Sequence, residues 1–186
     1  MRKRIIAWGL LLMGTLATVI IAKSMGDELP ITTIVGAFAA AVATVLLVKI
    51  LKEDYLYYSI LVFVFFASPI GSVINLYRKM DSYDKVVHFF SGLLLALIGT
   101  MLARYLMMRV GCTEDALKNY SLIILIVGFL TASASAGVWE IFEYTADKLA
   151  GGGMQRGMID TLTDMIAGNL GGLAFCLGSV LKERTK

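Results

Sequence analysis

The sequence predicts an all-α, polytopic membrane protein: a six-transmembrane-helix bundle with both termini cytoplasmic. Three observations predict it. Of 186 residues, 58% are hydrophobic, and the mean hydropathy of +0.78 exceeds what a soluble core of this size requires. The apolar residues fall into six runs of about the 20 residues that a helix needs to cross a bilayer, each bounded by charged or turn-forming residues. Finally, Lys and Arg are unequal on alternate sides of those runs. One side holds Arg2, Lys3, Arg4, Lys49, Lys52, Arg104, Arg109, Lys118, Lys182, Arg184 and Lys186, which is 11; the other holds the remaining 6 of 17. The richer side is expected to be cytoplasmic.

The first run, Ile5 to Ala22, follows a basic cap, Met1 to Arg4. It reads as a membrane helix and not a cleaved leader, because Ile20 stands where an A-x-A cleavage site needs a small residue. Gly26, Asp27, Glu28 and Pro30 make a turn, with Pro30 suited to starting the second span, Ile31 to Ile50. After Lys52, Glu53 and Asp54, the tyrosines 55, 57 and 58 form an interfacial belt leading into a third span to about Leu76, which Pro69 and Gly71 are expected to kink. Tyr77 to Asp81 connects to a fourth helix, Asp84 to Met107, and a polar loop, Arg109 to Asn119, follows. The fifth span starts near Tyr120 and contains the small residues 131 to 137, which let helices approach closely. Gly151, Gly152 and Gly153 break it before a sixth span, Met158 to Leu181. The whole chain, 1–186, is expected to be one integral membrane domain.

Several function classes fall away. A net charge of +3 without a basic stripe gives no nucleic-acid footprint. Cys112 and Cys176 fit neither a disulfide framework nor a CxxC metal site. There is no G-x-S-x-G elbow and no H-E-x-x-H, and the single histidine cannot serve a two-histidine phosphatase. The D-x-x-x-D of Asp160 and Asp164 lacks the preceding D-G-x-x-A-R half of the CDP-alcohol phosphotransferases.

What stands out is polar. Asp84 and His88 are one helical turn apart, as are Glu140 and Glu143, and Asp160 and Asp164, so each of three helices presents a pair on one face. Ionisable groups in membrane spans are costly and need partners. On the expected topology all six lie at the outer ends of the fourth, fifth and sixth helices. One histidine with several carboxylates is a plausible oxygen and nitrogen shell for a divalent cation. Without a cation the acids must bind protons or pair with Lys85, Lys148 and Arg156. Asp84, His88, Glu140, Glu143, Asp160 and Asp164 are therefore the candidate metal ligands, Glu140 and Glu143 the candidate catalytic bases, and Arg156 and Tyr144 the candidate substrate contacts. Arg156, with its bidentate fork before a helix N-terminus, suits an anionic group.

Three blocks carry a resemblance: Tyr83 to Gly92 (YDKVVHFFSG), Trp139 to Tyr144 (WEIFEY), and Asp160 to Met165 (DTLTDM) with Leu170, Gly171 and Gly172. Together they resemble the YjdF-type bacterial inner-membrane proteins and, more distantly, the VanZ-like proteins, over roughly residues 80 to 175. The resemblance implies a small multi-pass protein of the inner membrane, with VanZ-like relatives linked to glycopeptide resistance and the cell envelope. Glu143 stands where the VanZ-like group has glutamine, and Asp164 where it favours asparagine, which makes this pocket more acidic.

Two functions of different class follow. The first is a metal-dependent membrane hydrolase whose outward-facing pocket acts on a lipid-linked or envelope substrate. The second is a non-catalytic binder or transporter of a cation or an envelope compound. The topology is testable apart from either: reporter fusions after Lys118 and Lys186 should read cytoplasmic, and one near Gly152 should read outside. An outside signal at Lys118 would invert the placement of the pocket.

Overall fold

The computed structural model describes residues 1–151 and 153–185, and it does not describe the side chains of Ala150, Glu183 and Arg184. Gly152, in the expected glycine turn, and Lys186, in the count of basic residues, lie outside it. Of the described residues 85% are helical and none is in a strand. Six helices among them are long and apolar enough to cross a membrane: Arg2–Ser24, Ile31–Ile50, Asp54–Val73, Tyr83–Arg109, Ser121–Leu149 and Met158–Lys182. The protein is a multi-pass membrane protein. Its helices are also patterned for lipid. On α1 (Arg2–Ser24), Leu10, Met13 and Ile20 are exposed while Thr15 and Thr18 are buried, each hydroxyl donating to a carbonyl of its own helix.

By contact the chain divides into two compact units, Met1–Val87 and His88–Lys186. In the first, α2 (Ile31–Ala43) passes through a 3₁₀ turn, Thr44–Leu46, into α3 (Leu47–Ile50) and completes the expected second span. That helix end is closed by a residue far away in sequence. Buried Arg4 donates from Nη1 to the carbonyls of Val48 (3.1 Å) and Leu51 (2.5 Å), from Nη2 to that of Lys52 (2.9 Å), and from Nε to Asp54 (2.5 Å). A cation is well placed at a helix C-terminus, where carbonyls lack partners. The Tyr57 ring lies 5.3 Å from the same guanidinium. Arg4 is thus a structural residue and not only part of a basic cap.

The third span starts as α4 (Asp54–Phe65) and widens into a π-helical segment, Phe66–Val73, around Pro69. Proline has no N–H and crowds the preceding turn, so the expected disturbance takes the form of a widened helix. The Tyr83 hydroxyl donates to the Phe66 carbonyl within it, 2.8 Å. The span ends at Val73, earlier than the expected Leu76, because Asn75 turns the chain with a left-handed φ of 63° before the short α5 (Leu76–Lys79).

The second unit contains most of α6 (Tyr83–Arg109), and then α7 (Glu114–Asn119), α8 (Ser121–Ala150) and α9 (Met158–Arg184). α7 occupies what reads in the sequence as a polar loop. Thr113 caps it by accepting from the Ala116 N–H at 3.2 Å, Glu114 and Asp115 sit in its first turn, and Leu117 is buried beneath it.

Glycines set the packing of the three long helices. A Cβ at Gly92 of α6 would strike the Gly168 carbonyl of α9, and a Cβ at Gly171 would strike the Phe89 carbonyl. α6 and α9 therefore meet backbone to backbone. α8 fits the same seam, with Ala136 against Gly168 and Ala132 against Gly172, and packs on α6 where Gly128 meets Ala96 and Thr100.

Substitution at these positions should oppose helix propensity. Gly→Ala in an open helix position favours the helix by about 1 kcal/mol, and Gly9 has nothing within 4 Å of an added Cβ. At Gly171 the clash is with backbone, and overpacking of that kind costs about 1–3 kcal/mol. Gly171→Ala should lower, and Gly9→Ala preserve or raise, the unfolding midpoint in detergent. Equal behaviour of the two would contradict the close contact of α6 with α9.

Candidate functional site

The glycine seam determines which acids meet. His88 lies one turn before Gly92 on α6, and Asp164 one turn before Gly168 on α9. Packing Gly92 on Gly168 brings these two turns alongside each other. The boundary between the compact units falls inside α6, between Val87 and His88, and Asp84 stands on the preceding turn of that continuous helix. One donor atom from each of Asp84, His88 and Asp164 lies within 4.8 Å of the others, and all three residues are buried. Asp164 is 1% exposed. Ligands at about 2.0–2.2 Å from one ion stand at most about twice that apart, so a small adjustment of rotamers closes the group around a cation. These residues could hold a metal.

Glu140 of α8 lies beside His88. It is 5% exposed, and its Oε1 lies 4.0 Å from His88 Nε2, beyond hydrogen-bond reach. Among the described residues this buried oxygen has no hydrogen-bond partner. An orphaned carboxylate oxygen in a low-dielectric interior is costly, and a cation or a proton is what relieves it.

The other acids sit differently. Glu143, one turn further along α8, is buried, and its Oε1 accepts from the Trp139 indole N–H at 2.8 Å. Asp160, at the start of α9, accepts from Arg156 Nε at 3.1 Å, and the Asp160 side chain is 15% exposed. Both candidate substrate contacts are more exposed than the acids: Arg156 is exposed, and Tyr144 is half exposed with Lys148 Nζ 5.5 Å from its ring centre. The structure thus groups Asp84, His88 and Asp164, places Glu140 beside His88, and gives Glu143 and Asp160 partners of their own.

The α8–α9 hairpin is closed by bonds that sequence reasoning did not find. Asp147 accepts from the N–H groups of Met154 and Gln155 at 3.0 and 2.9 Å. Gly151 and Gly157 take positive φ, 65° and 116°, where the chain leaves one helix and enters the next. The Gln155 amide donates to the Thr161 hydroxyl at 3.2 Å, and the Thr161 side chain is hydrogen-bonded to Glu140. An Asp followed by a glycine turn signals such a loop, but nothing in the sequence ties Gln155 to Thr161. An apolar hollow of about 360 Å³, lined by Phe129, Leu162, Met165, Ile166, Asn169, Leu170 and Leu173, lies on the opposite face of α9 from Asp160 and Asp164. Leu162, Ile166 and Leu170 in its lining are exposed.

Fold and site together define a small multi-pass membrane protein with a buried cluster of acids and a histidine. More particularly, the chain belongs to the family described as predicted membrane protein (DUF2238), which matches residues 4–184 and is the family of the YjdF-like proteins. The match takes in the first three spans as well as the three motif blocks. The chain is also similar to an uncharacterised protein of Thermotoga maritima, 29% identical over 109 residues, covering 58% of this chain and 53% of that protein. It therefore spans about half the length of this curated relative. No solved structure matches the chain.

Proposed function

We propose that this protein binds a divalent cation at Asp84, His88, Asp164 and Glu140 and uses the site as a hydrolase-like enzyme on a lipid-linked or cell-envelope substrate. In this reading the site opens to the outer side of the inner membrane. The observation that carries it is the pairing of a buried Asp, His and Asp within 4.8 Å with the unpartnered Glu140 oxygen next to His88. Charges in a membrane span are retained where they pair or bind something. A cation bound there supplies positive charge and Lewis-acid polarisation.

The chain's own groups then divide the work. Asp84, Asp164 and Glu140 supply oxygen donors, and His88 supplies a nitrogen. Glu143, one turn from Glu140 on α8, serves as the general base, with the Trp139 indole N–H donating to its Oε1 and orienting the carboxylate. Arg156 donates from Nε to Asp160, and a guanidinium suits a phosphate or carboxylate head group at the membrane surface. Tyr144, on the outer turn of α8, flanks that approach. A distant kinship of the motif blocks with VanZ-like proteins, which belongs to this proposal, would imply the same compartment.

The second reading is a binder or transporter of a cation or envelope compound. One observation favours binding over conduction: one turn below His88 and Asp164, the backbones of α6 and α9 touch at Gly92 and Gly168, which leaves no passage between those helices.

Metal dependence of stability decides between a cation site and a pocket that holds protons. A ligand that binds only the folded state stabilises it by about 2.7 kcal/mol at a hundredfold excess over Kd. Thermal unfolding of parent, Glu140→Gln and Asp164→Asn in detergent, with chelator and then with zinc, manganese, magnesium or calcium, should show a rise in the parent that both variants lose. If no cation shifts the parent and the amide variants equal or exceed it in stability, the acids share protons and the cation site is wrong.

A further inference from the structure

The hairpin bonds bear on which cation the site takes, an inference that rests on the cation reading above. Glu140 has its two oxygens in different surroundings. Oε1 is buried near His88 Nε2 without a hydrogen-bond partner, while the carboxylate is also bonded to the Thr161 side chain. Thr161 is itself held. Its hydroxyl oxygen accepts from Gln155 Nε2, so the hydroxyl proton is the group left to donate to Glu140. Gln155 is in turn fixed through its backbone N–H by Asp147. The chain of bonds runs from Asp147 at the end of α8, across the hairpin through Gln155, to Thr161 on the first turn of α9, and back to Glu140.

We propose that Thr161 is a positioning residue that holds Glu140 as a one-oxygen ligand, so that the cluster selects a small first-row divalent ion such as zinc or manganese over calcium. The donor set points the same way. Calcium takes six to eight oxygen ligands and favours carboxylates that bind through both oxygens. Here one donor is an imidazole nitrogen, which suits zinc, iron and related ions, and the bond from Thr161 keeps one Glu140 oxygen off the ion. Three one-oxygen carboxylates and one histidine make a four-donor set compatible with zinc. A partner that orients a ligand from outside the coordination sphere is worth roughly 10- to 100-fold in metal affinity.

Calorimetric titration of the purified full chain in detergent, with zinc, manganese, magnesium and calcium chloride in turn, tests this. The parent should bind zinc or manganese more tightly than calcium. Thr161→Val should lose roughly 10- to 100-fold in zinc or manganese affinity with little change toward calcium, Thr161→Ser should restore it, and Gln155→Ala should fall between. Unfolding in chelator separates a positioning role from loss of fold, and the parent's own preference among ions needs no variant. Cation binding by the parent with calcium preferred, or with affinities unchanged in Thr161→Val, overturns the role of Thr161 and leaves the cation site standing. No binding of any of the four ions overturns the site and the inference together.

Discussion

The approach of α6 to α9 through glycine is the constraint from which the rest of the second unit follows. At Gly92 and Gly168, and again at Phe89 and Gly171, no side chain stands between the two backbones. Two helices in lipid gain little from hydrophobic exclusion and associate through close van der Waals packing, which small residues permit. Because the contact is backbone to backbone, it fixes the register as well as the distance. The turns just before it therefore lie level with each other, and they carry His88 and Asp164. α8 enters the same seam through Ala132 and Ala136 and delivers Glu140 one turn above Ala136.

This packing buries several acids close together, and each has its own partners. At the rim, Asp160 has Arg156, and Asp147 has two backbone N–H groups of the hairpin. Glu143 has the Trp139 indole. Asp84, His88 and Asp164, all buried, crowd together, and among the described residues one buried Glu140 oxygen has no hydrogen-bond partner. Several carboxylates this close cannot all carry charge in a low-dielectric site unless a cation or shared protons offset them. A histidine among them favours the cation, since it supplies a donor that carboxylates seeking only protons do not need.

Much of this was legible in the sequence, for specific reasons. Hydropathy alone marks the six spans, because a bilayer leaves a helix of about 20 apolar residues as the simplest solution. The i, i+4 spacing of Asp84 with His88 and of Asp160 with Asp164 places each pair on one face, and Gly168 and Gly171 continue the face of the second pair. Which helices meet is not local information: His88 and Asp164 are brought together by a contact between glycines in separate spans. Three features depend on partners far along the chain or on local backbone geometry. Arg4 closes the end of α3 from the start of α1. Pro69 widens its helix into a π segment instead of merely kinking it. Gln155 and Thr161 reach Glu140 across the hairpin. The short α7 was hidden because six residues carry too little periodicity to show, although the Thr113 cap and the acids after it are the usual signals.

The central claim is that the seam between α6, α8 and α9 builds a cation site, and metal content tests it most directly. The full chain, purified in detergent, incubated with mixed divalent ions and desalted, should retain about one equivalent of a first-row ion by elemental analysis. His88→Ala and Asp164→Asn, prepared alongside, should retain none while keeping the parent's helical content. A parent that comes through with no bound ion, or variants that hold as much as the parent, would contradict the account.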